Sequence, residues 1–76
     1  MTIHWPNYIE ERPDIMMGKP LLKGTRLTVE HILKELASGS SRQEVLDNYP
    51  TLKAEHIQAA LLYAAAVMNM DVTIYQ

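Results

Sequence analysis

Three cations, Lys19, Lys23 and Arg26, fall between positions 18 and 29 with no acid among them, in a stretch that also holds Gly18, Pro20, Gly24 and Thr25. Ammonium and guanidinium groups without a local counter-ion suit recognition of an anion, either a carboxylate or a phosphate. Glycine admits backbone angles closed to other residues, and Pro20 fixes its own φ and lacks a donor, so the segment is a shaped loop rather than a tether. The same residues also have a self-contained reading. Gly24 turns the chain, Thr25 caps locally, and Arg26 pairs with an acid such as Glu30.

Catalytic and metal chemistry find little support. His4, His31 and His56 are far apart in sequence, and none has a second histidine at metal-ligand spacing. There is no Gly-x-Ser-x-Gly, no phosphate loop and no cysteine. The histidines read as surface or helix-edge residues, and Glu35, Glu44 and Asp47 as solvated helix faces. We therefore expect no catalytic residue, no metal or cofactor, and no enzymatic activity. The absence of cysteine and of a signal-like N-terminus suits a cytoplasmic protein. A net charge of −2 and a pI near 5.8 argue against a freestanding nucleic-acid binder, although a dimer would sum its basic loops.

The elements that must position the loop are helical. At 76 residues the chain reads as one domain, and a domain of that size buries only about 60% of its unfolded surface, so self-association is expected to add core. From Tyr8 to Arg12 the chain is β-tolerant, Pro13-Asp14 reads as a turn, and Ile15-Met16-Met17 as a return strand; residues 1–27 form this arm and the basic loop. Thr28 is an N-cap, and Val29, Ile32, Leu33, Leu36 and Ala37 make one helical face, so a first helix is predicted from Val29 to about Ser38, stopped by Gly39. Ser41 and Glu44 fit a capping box for a second helix, with Val45, Leu46 and Tyr49 inward and Pro50 as terminator. A third helix starts near Lys53 or Ala54 and runs to about Asn69. Beyond it, residues 71–76 read as an extended tail.

The third helix carries two apolar stripes. Ile57, Ala60, Leu61, Ala64 and Met68 suffice to pack on the first two helices. Ala59, Leu62, Tyr63, Ala66, Val67 and Met70 have equally good spacing and no obvious partner in so small a domain, which marks them as a candidate dimer interface. The apolar run is far shorter than the roughly 20 residues that span a bilayer, so no membrane insertion is expected. Two helices joined by a short turn, with a third packed before them, also make a helix-turn-helix candidate. In that arrangement Lys53, Glu55 and Gln58 approach a DNA groove, with Arg42 beside them. Glu55 is unhelpful near phosphates, and Gln58 alone of these three suits a base contact.

The order Gly-Lys-Pro-x-x-x-Gly-Thr-Arg-x-x-Val, an amphipathic helix ending in Ser-Gly, Glu-Val-Leu-x-x-Tyr-Pro-x-Leu, and Ile-x-Ala-Ala-Leu-x-Tyr-Ala resembles family 433 of the domains of unknown function, from about Ile9 to Ala65. The resemblance implies a mainly α fold: a three-helix helix-turn-helix bundle of homeodomain-like or winged-helix-like type, behind a short N-terminal β arm. It implies, for many members, the antitoxin half of a toxin–antitoxin module whose partner is a PIN-like ribonuclease. Gly18, Pro20, Gly24, Thr25, Arg26 and Val29 match the family's loop, and Tyr49, Pro50 and Leu52 its inter-helix turn. Two positions depart from it. Met17-Gly18 stands where the family often has a double glycine, and Lys53 where a threonine commonly caps the third helix. The resulting expectation is a toxin-binding loop of Lys19, Lys23 and Arg26 and a DNA-facing set of Arg42, Lys53 and Gln58. The alternative is a homodimeric interaction module with neither partner.

Overall fold

The computed structural model describes residues 3–70, so the extended tail expected at 71–76 lies outside it, as does the Met70 side chain. A 3-10 turn, Trp5–Tyr8, leads into strand β1, Ile9–Glu11, which pairs antiparallel with β2, Pro20–Leu22. Three helices follow: α1, Val29–Ala37; α2, Arg42–Asn48; and α3, Ala54–Met70. The chain is thus a three-helix bundle behind a two-stranded β arm, as its sequence leads one to expect.

The return strand lies later than expected. Met16–Gly18 forms a second 3-10 turn, and β2 begins at Pro20. Burial selects this register: Leu21 and Leu22 are fully buried, whereas Met17 is 94% exposed. Pro20 sits at the first strand position opposite Glu11, where a missing donor is tolerated. Met17 adopts φ 56°, ψ 33°, the left-handed region, immediately before Gly18 at φ 78°. A side chain there costs about 1–2 kcal/mol relative to ordinary backbone. The backbone at Met17 is therefore one that calls for glycine.

The first two helices follow their local signals. Thr28 Oγ1 accepts from the His31 N–H at 3.0 Å. The Ser41–Glu44 capping box closes reciprocally, at 3.1 Å to the Glu44 N–H and 2.7 Å from the Ser41 N–H. Gly39, at φ 106°, lets its N–H reach the Leu36 carbonyl and end α1. Leu22, Val29, Ile32, Val45, Leu52, Ile57 and Ala60 form the core cluster.

On α3 the two stripes divide differently from the expectation. Leu61 and Met68, assigned inward, are 39% and 70% exposed. Ala59, assigned to the unpartnered face, is fully buried, and Tyr63 packs against the core cluster. The N-terminal turn is the reason. Trp5–Tyr8 lies along α3, and Trp5 meets Tyr63 edge-to-face, with ring centroids 5.3 Å apart and planes at 78°. Part of the second stripe is covered by the chain's own arm. No described helix is long and apolar enough to cross a membrane.

Candidate functional site

The basic segment folds as a tight hairpin that carries β2 into α1. The Leu22 N–H donates to the Leu27 carbonyl at 2.9 Å, and Leu21 bridges Thr28. Gly24, at φ 86°, turns the tip; the space around it is open, so conformation rather than crowding asks for glycine. Thr25 Oγ1 donates to the Leu22 carbonyl at 2.7 Å and accepts from the Leu27 N–H at 3.0 Å, which braces the turn from inside. The tip is held by backbone groups and one hydroxyl, without the Lys23 and Arg26 side chains.

Lys23 is pinned on both sides of its peptide backbone. Its N–H donates to the Tyr8 carbonyl at 2.8 Å, and its own carbonyl lies 3.0 Å from His56 Nε2. His56 Nδ1 accepts from the Lys53 N–H at 3.0 Å. That bond requires a lone pair on Nδ1, so the ring proton sits on Nε2 and donates to Lys23. The ring is buried and stands edge-on to Tyr8, at 5.8 Å and 86°. His56 takes the part a glutamate plays in a capping box, accepting from the N–H of the residue just before the helix. It thereby supplies half of the cap that Lys53 lacks.

This histidine was expected at the surface or at a helix edge; it lies in the first turn of α3 but is buried, and joins arm, hairpin and third helix. The sequence signal was faint: a polar residue three positions after Lys53, which is not itself a Ser, Thr, Asp or Asn cap. His31 and His4 are exposed, as expected. His31 Nε2 lies 2.7 Å from the Tyr49 hydroxyl, tying α1 to the end of α2.

The three loop cations separate. Lys19 Nζ reaches Glu30 Oε1 at 3.0 Å, and Lys34 Nζ reaches Oε2 at 3.1 Å. Lys19 is therefore compensated, and Glu30 serves it rather than Arg26. Hydrogen bonds from Lys19 and then Lys34, with their charges, hold the Glu30 carboxyl below its ordinary value of 4.5. Lys23 and Arg26 are exposed at the tip, with no ion pair among the described residues. Lys53 joins them, because its backbone and that of Lys23 converge on the two nitrogens of one imidazole. Of the other DNA-facing candidates, Arg42 donates to Gln58 Oε1 at 3.1 Å, linking α2 to α3.

Away from the tip, Lys19, Glu30 and Lys34 border a groove of about 540 Å³ between α1 and α3, floored by Leu33, Ala64 and Val67 among others. Of the proposed dimer residues, Leu62, Tyr63 and Ala66 are half-buried and Val67 is 37% exposed. No group of three or more His, Cys, Asp and Glu side chains suited to a metal occurs among the described residues.

A three-helix bundle with this arm and hairpin matches a known family. The family model described as "Protein of unknown function (DUF433)" covers residues 9–64, and the chain belongs to that family. A crystal structure of a DUF433 member protein from Anabaena variabilis ATCC 29413 superposes with a TM-score of 0.78 at 30% identity, over 84% of this chain and 63% of the other. The uncharacterized protein y4eO of Sinorhizobium fredii (strain NBRC 101917 / NGR234) is 38% identical over 58 residues, 76% of this chain. The match takes in 26% of that relative's length, so the shared unit there is part of a larger protein.

Proposed function

We propose that this chain is the antitoxin-like half of a two-component module: a small three-helix protein that binds a PIN-like ribonuclease through its cationic tip and performs no catalysis of its own. The observation that carries this reading is the convergence of the Lys23 and Lys53 backbones on His56. With Arg26 on the same hairpin, it fixes the backbone beneath three cations, none ion-paired among the described residues. A pre-ordered array loses little freedom on binding. The acidic metal-holding cluster expected of a PIN-like nuclease has the opposite charge, which speeds encounter and sets register.

Co-expression with the product of the neighbouring reading frame tests it. A stable heteromeric complex is expected, weakened by salt and by about tenfold or more in a Lys23→Ala, Arg26→Ala double variant. A complex indifferent to both would remove the tip from the interface. Binding to upstream DNA at low salt, lost with Lys53→Ala, would redirect the same cations to phosphate and make operator control their first role.

A homodimeric module without toxin or DNA is favoured by one different observation: Leu61, Val67 and Met68 are exposed on α3, two of them at the groove. It predicts a dimer by sizing across a dilution series and a monomer after Val67→Asp.

A further inference from the structure

Trp5 and Tyr63 do more than cover α3. Their planes, at 78°, form two walls of a pocket of about 280 Å³. Its remaining lining comes from Pro6 and from the whole of β1: Ile9, Glu10 and Glu11. Both rings are only half-buried. Neither Glu10 nor Glu11 has an ion pair among the described residues. The Tyr63 hydroxyl is pushed above its ordinary value of 10.0, first by burial and then by the charge of Glu11, so that carboxylate's field reaches the ring.

Aromatic faces beside unpaired carboxylates attract one class of ligand. A cation gains from the ring quadrupole and from the acids together, and a guanidinium gains most, because it stacks flat on an aromatic face and forks to a carboxylate. The volume falls just below the roughly 300–1,000 Å³ of small-molecule sites and suits a single side chain. The adjoining strand says how that side chain arrives. β2 is flanked by β1 on one side and the Thr28 bridge on the other, so among the described residues β1 is the sheet's edge and pairs with a strand along one side only. An extended segment laid against such an edge sends alternate side chains toward the same face.

We infer that Trp5, Tyr63 and Glu11, with Glu10 adding charge from the same strand, form a receptor for an arginine side chain carried on an extended segment of another protein that adds to the edge of β1. The site is independent of the cationic tip, and its charge is opposite. A protein whose tip prefers acids thus has a second surface that prefers a base.

The chain holds a single tryptophan, so Trp5 fluorescence reports on this pocket alone. The full-length protein is titrated with the blocked peptide acetyl-Thr-Arg-Thr-Arg-Thr-amide, and with its citrulline counterpart, which keeps the shape and removes the charge. Saturable change with the arginine peptide, and at least about tenfold weaker response with citrulline, is expected. A Glu10→Gln, Glu11→Gln variant is expected to weaken binding to a similar degree. A Glu35→Gln, Asp47→Asn variant, which removes the same charge elsewhere, should leave it unchanged. Circular dichroism confirms that both variants keep the wild-type helix content. Equal responses to the two peptides, or equal losses in the two double variants, would overturn the proposal, the latter by reducing it to attraction by net charge. An equal affinity for acetyl-arginine amide would overturn the extended-segment half.

Discussion

The two ends of α3 are built on different physics. At its start, buried Ile57, Ala59 and Ala60 lie beside a closed set of neutral hydrogen bonds around His56. Toward its other end, Val67 and Met68 face outward, and the nearby polar contacts are the exposed ion pairs of Glu30 with Lys19 and Lys34. Direction and register are decided at the first end. The second contributes apolar surface that the described chain leaves partly open, together with charges screened by water and salt.

Substitutions can break this contrast. The largest effect is expected from Ile57→Ala, which empties a fully buried site and should destabilise by about 2–5 kcal/mol in urea unfolding. Its counterpart Met68→Ala should change stability by no more than about 0.5 kcal/mol. A comparable loss at both positions would mean that the far end of α3 is covered in solution. Next, His56→Ala removes both ring bonds and strands the Lys23 carbonyl and the Lys53 N–H, at about 2–3 kcal/mol. Amide exchange at Lys23 and Lys53 should accelerate together, which a merely packed ring would not cause.

A gentler change sharpens the same point. Lys53→Ser adds a hydroxyl cap to the half His56 already supplies and should stabilise by about 0.5–1 kcal/mol. The smallest effect concerns the rim. Glu30 titrates below 4.5 in the folded chain, so its contribution is fully present above that pH and fades as acidity carries it through its lowered folded value. The Tm advantage of the wild type over Glu30→Gln should therefore be seen at neutral pH and vanish on acidification.

Elements whose determinants are local were legible in the sequence. Thr28, Ser41 with Glu44, Gly39 and Pro50 act within four residues of themselves, so α1 and α2 could be placed from spacing alone. What escaped was set by distance along the chain. His56 reaches Lys23 across 33 positions and Lys19 reaches Glu30 across 11, and nothing at either end announces the other. The covering of Tyr63 by Trp5 is longer still, which is why an apolar face appeared partnerless. The return strand was misplaced because Ile15-Met16-Met17 has a better strand composition than Pro20-Leu21-Leu22; burial of the two leucines overrode it.

Met17 offers a practical opening. Its side chain touches almost nothing, yet its backbone is held in a left-handed turn that disfavours any side chain. Replacement by glycine relieves that strain without altering the hairpin tip, the aromatic pocket or the groove. Such a variant is a ready parent for the damaging substitutions above: it raises the ceiling from which they fall, so that a lost interaction can be told apart from a lost fold.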